Sequence, residues 1–260
     1  MDLLSIYILT YNSDKYLDQI LCQIKSIGDD IIILDGGSTD GTKKIAMSHN
    51  VRFEFRPFDN FKDQRNYAST ISKNDFVLAI DADEIPSDEL INEIQALKQA
   101  GFKNDAYSIR RDTHVLGKNV VCHYPVTNPD YVIRLINKKV SYYPDLKPKL
   151  HSTPEGYKSI STINKGTLYH YTFETDKEFD TKLEIYSNIA AEEVVESGEK
   201  MISLKMFFFP FLVWFKWYIL KGSWRDGIVG WKMGVFTFLL VFERYKKAYI
   251  IRREKKYSHS

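Results

Sequence analysis

The chain has 260 residues, 44% of them hydrophobic and 27% charged, which suits one large globular domain or a domain with an appendage. Two isolated cysteines, Cys22 and Cys122, exclude a disulfide framework, give no zinc-site spacing and suit a reducing compartment. The net charge of +2 hides a division: residues 1–202 carry 24 Lys/Arg against 31 Asp/Glu, and residues 203–260 carry 12 against 3. The tail therefore has a different partner from the rest.

The first residues, "MDLLSIYILTYNSDK", have no basic leader region and read as a strand, not a signal peptide. From residue 3 to about 100, β-branched runs alternate with stretches of helical spacing. Strands are expected at "LLSIYIL", "IIILD", "VRFEF" (51–55) and "DFVLAI" (75–80). Helices are expected over residues 61–72 and 87–101. In the second, Ser87 is the N-cap, Leu90, Ile91, Ile94 and Leu97 form one face, and Gly101 is the stop. This βαβα order predicts a mostly parallel sheet with helices on its faces. Past Gly101 short alternating runs predict mixed or antiparallel strands, followed by a polar helix over 176–197. There is no internal repeat.

Ligands of open α/β sheets bind beyond the carboxyl ends of the strands. Three strand ends qualify: Thr10-Tyr11-Asn12, the "DGGSTDGT" loop at 35–42, and Asp81-Ala82-Asp83. In the loop, Asp35 is able to accept from a ribose or base N–H and the glycines let a ligand approach, although a plain turn explains the same spelling. Asp81 and Asp83 offer two hard oxygen donors for Mg²⁺ or Mn²⁺ carrying a diphosphate; a solvated acidic turn with Glu84 before a helix is the alternative.

Taken in order, "ILTYNSDKYL", "IIILDGGSTDGT", "KDQRNYA" and "VLAIDADE" resemble family 2 glycosyltransferases of the GT-A fold. The resemblance implies a Rossmann-like α/β domain over residues 1–175, with a nucleotide-binding half (1–100) and an acceptor half (101–175). It also implies nucleotide-sugar contacts at Thr10, Tyr11, Asn12, Asp35, Arg65, Asn66 and Asp81, with Asp83 as the direct ligand of a divalent cation. "NPDYVIRLINKK", "KLHS" and "LYHYTF" are similar to a branch containing lipopolysaccharide core β-glucosyltransferases. Inverting transfer from a UDP-sugar, with glucose expected, to a lipid-linked or lipopolysaccharide-core acceptor is thereby implied.

An inverting transfer needs a general base near the acceptor hydroxyl and a cation at the departing diphosphate. Asp130 is assigned as the base, as it precedes an "xxxRL" strand like the catalytic Asp of many relatives; Glu155 and Asp145 are the alternatives. His151 is a third metal ligand, a diphosphate contact or a structural histidine, and Ser152 stands where that branch has Glu. Arg134 steadies the diphosphate or the base, or is a surface strand arginine. A non-catalytic, membrane-bound sugar-nucleotide-binding or scaffold protein is the rival reading.

The most apolar stretches lie at 206–220 and 227–242. Each falls short of the roughly 20 residues of a spanning helix, and Lys216 and Lys232 interrupt them. Aromatic and basic residues at helical spacing over 203–256 predict a helical extension (176–260) lying in the membrane interface, peripheral on the inner face of the cytoplasmic membrane. Packing on the catalytic domain or a homo-oligomer contact would use the same faces. No nucleic-acid partner is expected.

Overall fold

The computed structural model describes residues 1–144 and 153–257, which form two compact units. Unit 1 comprises residues 1–112 and 130–170, and unit 2 comprises residues 113–129 and 171–260.

Unit 1 opens with the predicted alternation. β1 (Leu4–Thr10), α1 (Asp14–Ile24), β2 (Asp30–Asp35), α2 (Thr42–Ser48), β3 (Arg52–Phe55), α3 (Phe61–Ile71), β4 (Phe76–Asp81), β5 (Glu84–Pro86) and α4 (Asp88–Ala100) follow in order. The ends are set locally. Asn60 accepts from the Asp63 N–H to start α3, Ser87 accepts from the Leu90 N–H to start α4, and Gly101 ends α4 at φ +83°. Central β1 pairs parallel with β2 and with β4, and its side chains are buried on both faces, so it reads as a continuous apolar run. Tyr7, Ile32, Leu34, Ala68, Val77 and Ala79 form one buried cluster of this core.

The rest of the sheet is antiparallel, as the texture after Gly101 predicts. β6 (Ala106–Val115), β10 (Asp130–Asn137) and β11 (Ile160–Phe173) extend it in the order β3-β2-β1-β4-β10-β6-β11-β5. β10 runs antiparallel to both β4 and β6, and its register against β6 shifts between Ile133 and Leu135. The shift leaves Arg134 as the extra residue of a bulge, a device that re-aims a side chain. Gly166 of β11 sits at φ +80°, where an added Cβ would stand 2.2 Å from the Leu90 nitrogen. Only glycine lets this strand lie against the first turn of α4.

Unit 2 contains the short strands β7 (Lys118–Asn119), β8 (Cys122–His123) and β9 (Val126–Thr127), and the helices α5 (Asp176–Glu196), α6 (Ile202–Trp214) and α7 (Ile228–Tyr257). A π-helical turn, Phe215–Leu220, continues α6, and a 3-10 turn, Ser223–Asp226, precedes α7. Val229, Met233, Phe236, Val241, Tyr245 and Ala248 form a buried stripe along α7 at helical spacing, covered by Phe173, Phe179 and Leu183 in one cluster and by Ala191, Val194 and Ile202 in another.

One expectation is corrected in this unit. The apolar helical stretch runs from Ile202 through the π-helical turn to Leu220, 19 residues, and is by length and composition long enough to cross a membrane. It starts four residues before the apolar run at 206, because Ile202 is already helical and packs inward. Only 11% of its apolar window is buried, leaving Phe207, Phe208, Phe211, Leu212 and Leu220 each at least 60% exposed.

Candidate active site

All the described site residues belong to unit 1. The parallel register puts Thr10 opposite Asp35 and Leu9 opposite Asp81, so three adjacent strands end at one level. At about 4.8 Å per strand, Asp35 and Asp81 lie roughly 10 Å apart across β1.

At the first of these ends Asp35 is buried and organises its own loop. Its Oδ2 accepts from the N–H groups of Gly37 and Ser38, both at 2.8 Å, and its Oδ1 accepts from the hydroxyls of Thr10 (2.9 Å) and Ser38 (2.5 Å). Gly37 at φ +112° makes the turn possible. Asn12, at φ +50°, donates its N–H to Ser38 Oγ and accepts the Thr39 N–H on its Oδ1, while Tyr11 is 66% exposed. The loop is thus tied to the end of β1, with the Tyr11 ring left open to solvent.

The second strand end carries a network of alternating charge. Asp81 Oδ1 accepts from Arg65 Nη2 at 2.6 Å, and Asp81 Oδ2 accepts from Arg134 Nη2 at 2.5 Å. The same Arg134 nitrogen donates to Glu84 Oε1 at 2.5 Å, and Arg111 Nη1 reaches that oxygen at 3.0 Å. Arg111 also clamps Asp130 with two bonds, Nε to Oδ1 at 3.0 Å and Nη2 to Oδ2 at 2.7 Å. Arg111 and Asp130 are direct cross-strand partners in the register of β6 and β10. Burial opposes the Asp81 charge, but Arg134 and then Arg65 outweigh it and hold this carboxyl well below the usual carboxylate range. Burial likewise opposes the Arg111 cation, and Glu84 and Asp130 reverse that and push its pKa above the ordinary arginine value.

Of the two arginines predicted at this site, Arg65 and Arg134 are both buried, so the surface reading of Arg134 is corrected. The bulge at its position turns the guanidinium onto the acids. Arg65 Nε and Nη1 and Arg134 Nε have no hydrogen-bond partner among the described residues. The Arg65 guanidinium also lies 5.6 Å from the centroid of the Tyr143 ring. Asn66 spends both ends of its amide on the Tyr143 backbone, donating to its carbonyl and accepting its N–H, each at 2.8 Å.

The Asp83 side chain is 41% exposed, and its Oδ2 lies 3.4 Å from His170 Nε2. The pairing of β5 with β11 sets Glu84 opposite His170 and so brings the histidine to the acidic turn. Asp83 and His170 would be the donors for a divalent cation such as Mn²⁺, which would offset charge on a diphosphate. Each Asp81 oxygen accepts from one guanidinium and keeps a second lone pair. His151 and the alternative base Asp145 lie outside the described residues. Glu155, the other alternative, is exposed and bridges to Tyr142 through the backbone in both directions.

Sequence reasoning left Arg111, His170 and Tyr143 without roles and read Glu84 only as part of an acidic turn. For Arg111, His170 and Glu84 the signal is the antiparallel register of β5, β6, β10 and β11, and for Tyr143 it is the contact with Arg65 and Asn66 of α3; both are long-range and have no local spelling. "LYHYTF" does contain His170, but nothing in the run distinguishes it from an ordinary strand histidine.

A nucleotide-type loop and an acid-lined crevice at the carboxyl ends of a parallel sheet are the features of a nucleotide-sugar enzyme. Comparison with known proteins agrees. The family profile described as Glycosyl transferase family 2 matches residues 5–140, more than half of the chain, and the protein belongs to this family. It is a glycosyltransferase with the mixed α/β architecture of the GT-A fold.

The chain is 27% identical over 256 residues to an "uncharacterized glycosyltransferase" of Rickettsia bellii, covering 93% of this chain and 83% of that one. It is also 27% identical over 260 residues to the lipopolysaccharide core biosynthesis glycosyltransferase LpsC of Rhizobium meliloti, covering 94% and 92%. Among solved structures, S. aureus TarS 1–349 in complex with UDP-GlcNAc is similar at 14% identity and a TM-score of 0.47, covering 97% of this chain and 92% of that one. Against a longer TarS chain, this chain spans 40% of the length, at 18% identity and a TM-score of 0.47 with 74% of this chain covered.

Proposed function

We propose that the protein transfers a hexose, with glucose the expected sugar, from a UDP-sugar to a lipid-linked or lipopolysaccharide-core saccharide, with inversion and with the help of Mn²⁺ or Mg²⁺. The observation that carries this reading is the division of labour between two neighbouring acids. Asp81 is locked between two arginines, while Asp83, two residues on, stands partly exposed beside His170. Likeness to LpsC along nearly its whole length supports the acceptor class.

In this reading the Asp35 loop and the Thr10-Tyr11-Asn12 segment receive the nucleoside, with the Tyr11 ring free to stack on the base. Asp83 and His170 hold the cation, which when bound neutralises the charge growing on the departing diphosphate. Arg65 and Arg134 keep Asp81 ionised and add positive potential behind that leaving group. Asp130 takes the proton of the acceptor hydroxyl as its oxygen bonds to the anomeric carbon and the bond to the diphosphate breaks. Arg111 fixes both Asp130 oxygens, so the acid meets the acceptor in one orientation. Residues 1–100 supply most of the donor site, joined by Arg134 and His170, and the remainder of 101–175 serves the acceptor. The extension 176–260, through 203–256, holds the enzyme to the inner face of the cytoplasmic membrane, its open phenylalanines in the interface and its basic residues on anionic headgroups.

The test is a thermal-shift titration with UDP, GDP, CDP and dTDP, each with and without Mn²⁺, since a ligand of the native state raises the melting temperature by mass action. A Mn²⁺-dependent shift with UDP is expected, together with its loss in Asp83→Ala. Full transferase activity in Asp83→Ala would overturn the metal assignment.

A further inference from the structure

Away from the donor crevice, three ligand-capable side chains of different chemistry meet between α1 and α2. Asp18 and Cys22 are four residues apart on α1 and so share a face. The buried residues of α1, Leu17, Ile20, Leu21 and Ile24, form its other face, leaving Asp18 and Cys22 exposed. His49 caps the carboxyl end of α2 with its side chain 13% exposed, and its Nε2 lies 2.8 Å from Asp18 Oδ1. One ligand atom from each of Asp18, Cys22 and His49 lies within 4.8 Å of the other two.

We infer that Asp18, Cys22 and His49 form a binding site for a thiophilic divalent cation, zinc above all, which clamps α1 to α2. A tetrahedral zinc with ligands at about 2.0–2.3 Å needs ligand atoms about 3.3–3.7 Å apart. The present spacing comes within roughly an ångström of that, and binding would replace the Asp18–His49 hydrogen bond as the exposed carboxylate turns to the metal. Water fills the fourth position. The donor set decides the metal: a thiolate and an imidazole select zinc over the magnesium and manganese that suit oxygen donors. On binding, the Cys22 thiol gives its proton to solvent as the zinc–sulfur bond forms, so affinity rises with pH. The isolated cysteines and absent Cys-x-x-Cys spacing conceal such a site, because its third ligand lies 27 residues beyond Cys22.

The clamp also reaches the donor loop. The same two helices begin at hydrogen bonds from the Ser13 N–H to Thr42 Oγ1 (2.8 Å) and from the Asp14 N–H to Asp40 Oδ2 (3.1 Å), next to the loop that Asp35 organises. Asp18 and Cys22 lie one and two turns further down α1, roughly 6–12 Å from its start, so the cation site is separate from Asp83.

The test uses the full-length, reduced protein with Co²⁺ as a spectroscopic substitute and Zn²⁺ as competitor. Expected are one equivalent of bound Co²⁺ with a thiolate-to-cobalt charge-transfer band, displaced by Zn²⁺, and a Zn²⁺-induced rise in melting temperature. Cys22→Ser should abolish the band and His49→Gln weaken Zn²⁺ binding at least tenfold, whereas Asp83→Ala should keep both. No thiolate band in the wild type, or an undiminished band in Cys22→Ser, overturns the proposal.

Discussion

Arg134 is the residue on which the charged cluster turns. One of its nitrogens serves both Asp81 and Glu84, and Glu84 is fully buried. Removing one partner of a buried ionic cluster strands the remaining charges at a cost of about 3–5 kcal/mol. Arg134→Met is therefore expected to lower unfolding free energy by that order in denaturant titrations, with Arg134→Lys restoring part of it. Acid sensitivity follows from the same contacts. Because Asp81 is held below its ordinary value, the folded state binds fewer protons than the unfolded chain as pH falls through about 3.9. The stability Asp81 contributes is complete above that pH and is lost as pH falls towards the folded-state value. Denaturation midpoints measured from pH 6 to pH 2 should drop steeply in the wild type and less in Asp81→Asn, which starts lower at pH 6. On the proposed mechanism, Asp130→Asn affects catalysis instead. Its kcat should fall about 10²–10⁴-fold, the usual worth of a general base, with UDP binding unchanged in the thermal-shift titration.

Among the elements, the bulge in β10 and the approach of β11 to α4 do most to shape the site. The bulge is what points Arg134 at the acids, and the pairing of β11 with β5 is what delivers His170 to Asp83. Gly166 lets β11 pass the first turn of α4, two residues before Leu168 pairs with Pro86 of β5. A side chain there meets backbone at 2.2 Å in addition to the strain of a positive φ, so Gly166→Ala is expected to cost at least about 2 kcal/mol. Chemical denaturation measures it. A variant as stable as wild type would show that the strand and helix separate freely. The helix cap at Ser87 and the stop at Gly101 were legible in the sequence, since one is a contact within three residues and the other a single backbone angle, whereas the Asn60 cap of α3 came only with the structure.

For the whole molecule the proposed membrane contact rests on the Ile202–Leu220 helix. Its apolar residues are exposed on most sides, while Lys216 stays within the run. The interfacial reading predicts sedimentation with vesicles containing anionic lipid, release by alkaline carbonate, and weaker binding at high salt. Replacing Phe207, Phe208 and Phe211 with serine should reduce vesicle binding at least tenfold with hexosyl transfer to a soluble acceptor fragment preserved. Resistance to carbonate would assign the helix to the bilayer core, and a concentration-dependent dimer abolished by the same substitutions would assign it to a second copy of the chain.

The amino-acid sequence by itself determined the alternation of the first hundred residues, the three strand ends that meet at one level, the family, and the division of charge between body and tail. These are local periodicities and short motifs, and hydrophobic burial with a two- or 3.6-residue period forces them wherever the chain folds. Only the tertiary structure decided that two arginines hold Asp81, that Arg111 clamps Asp130, that His170 joins Asp83, and that Asp18, Cys22 and His49 meet. Each of those depends on the register of strands or the packing of helices from distant parts of the chain, where a one-residue slip turns a side chain to the opposite face.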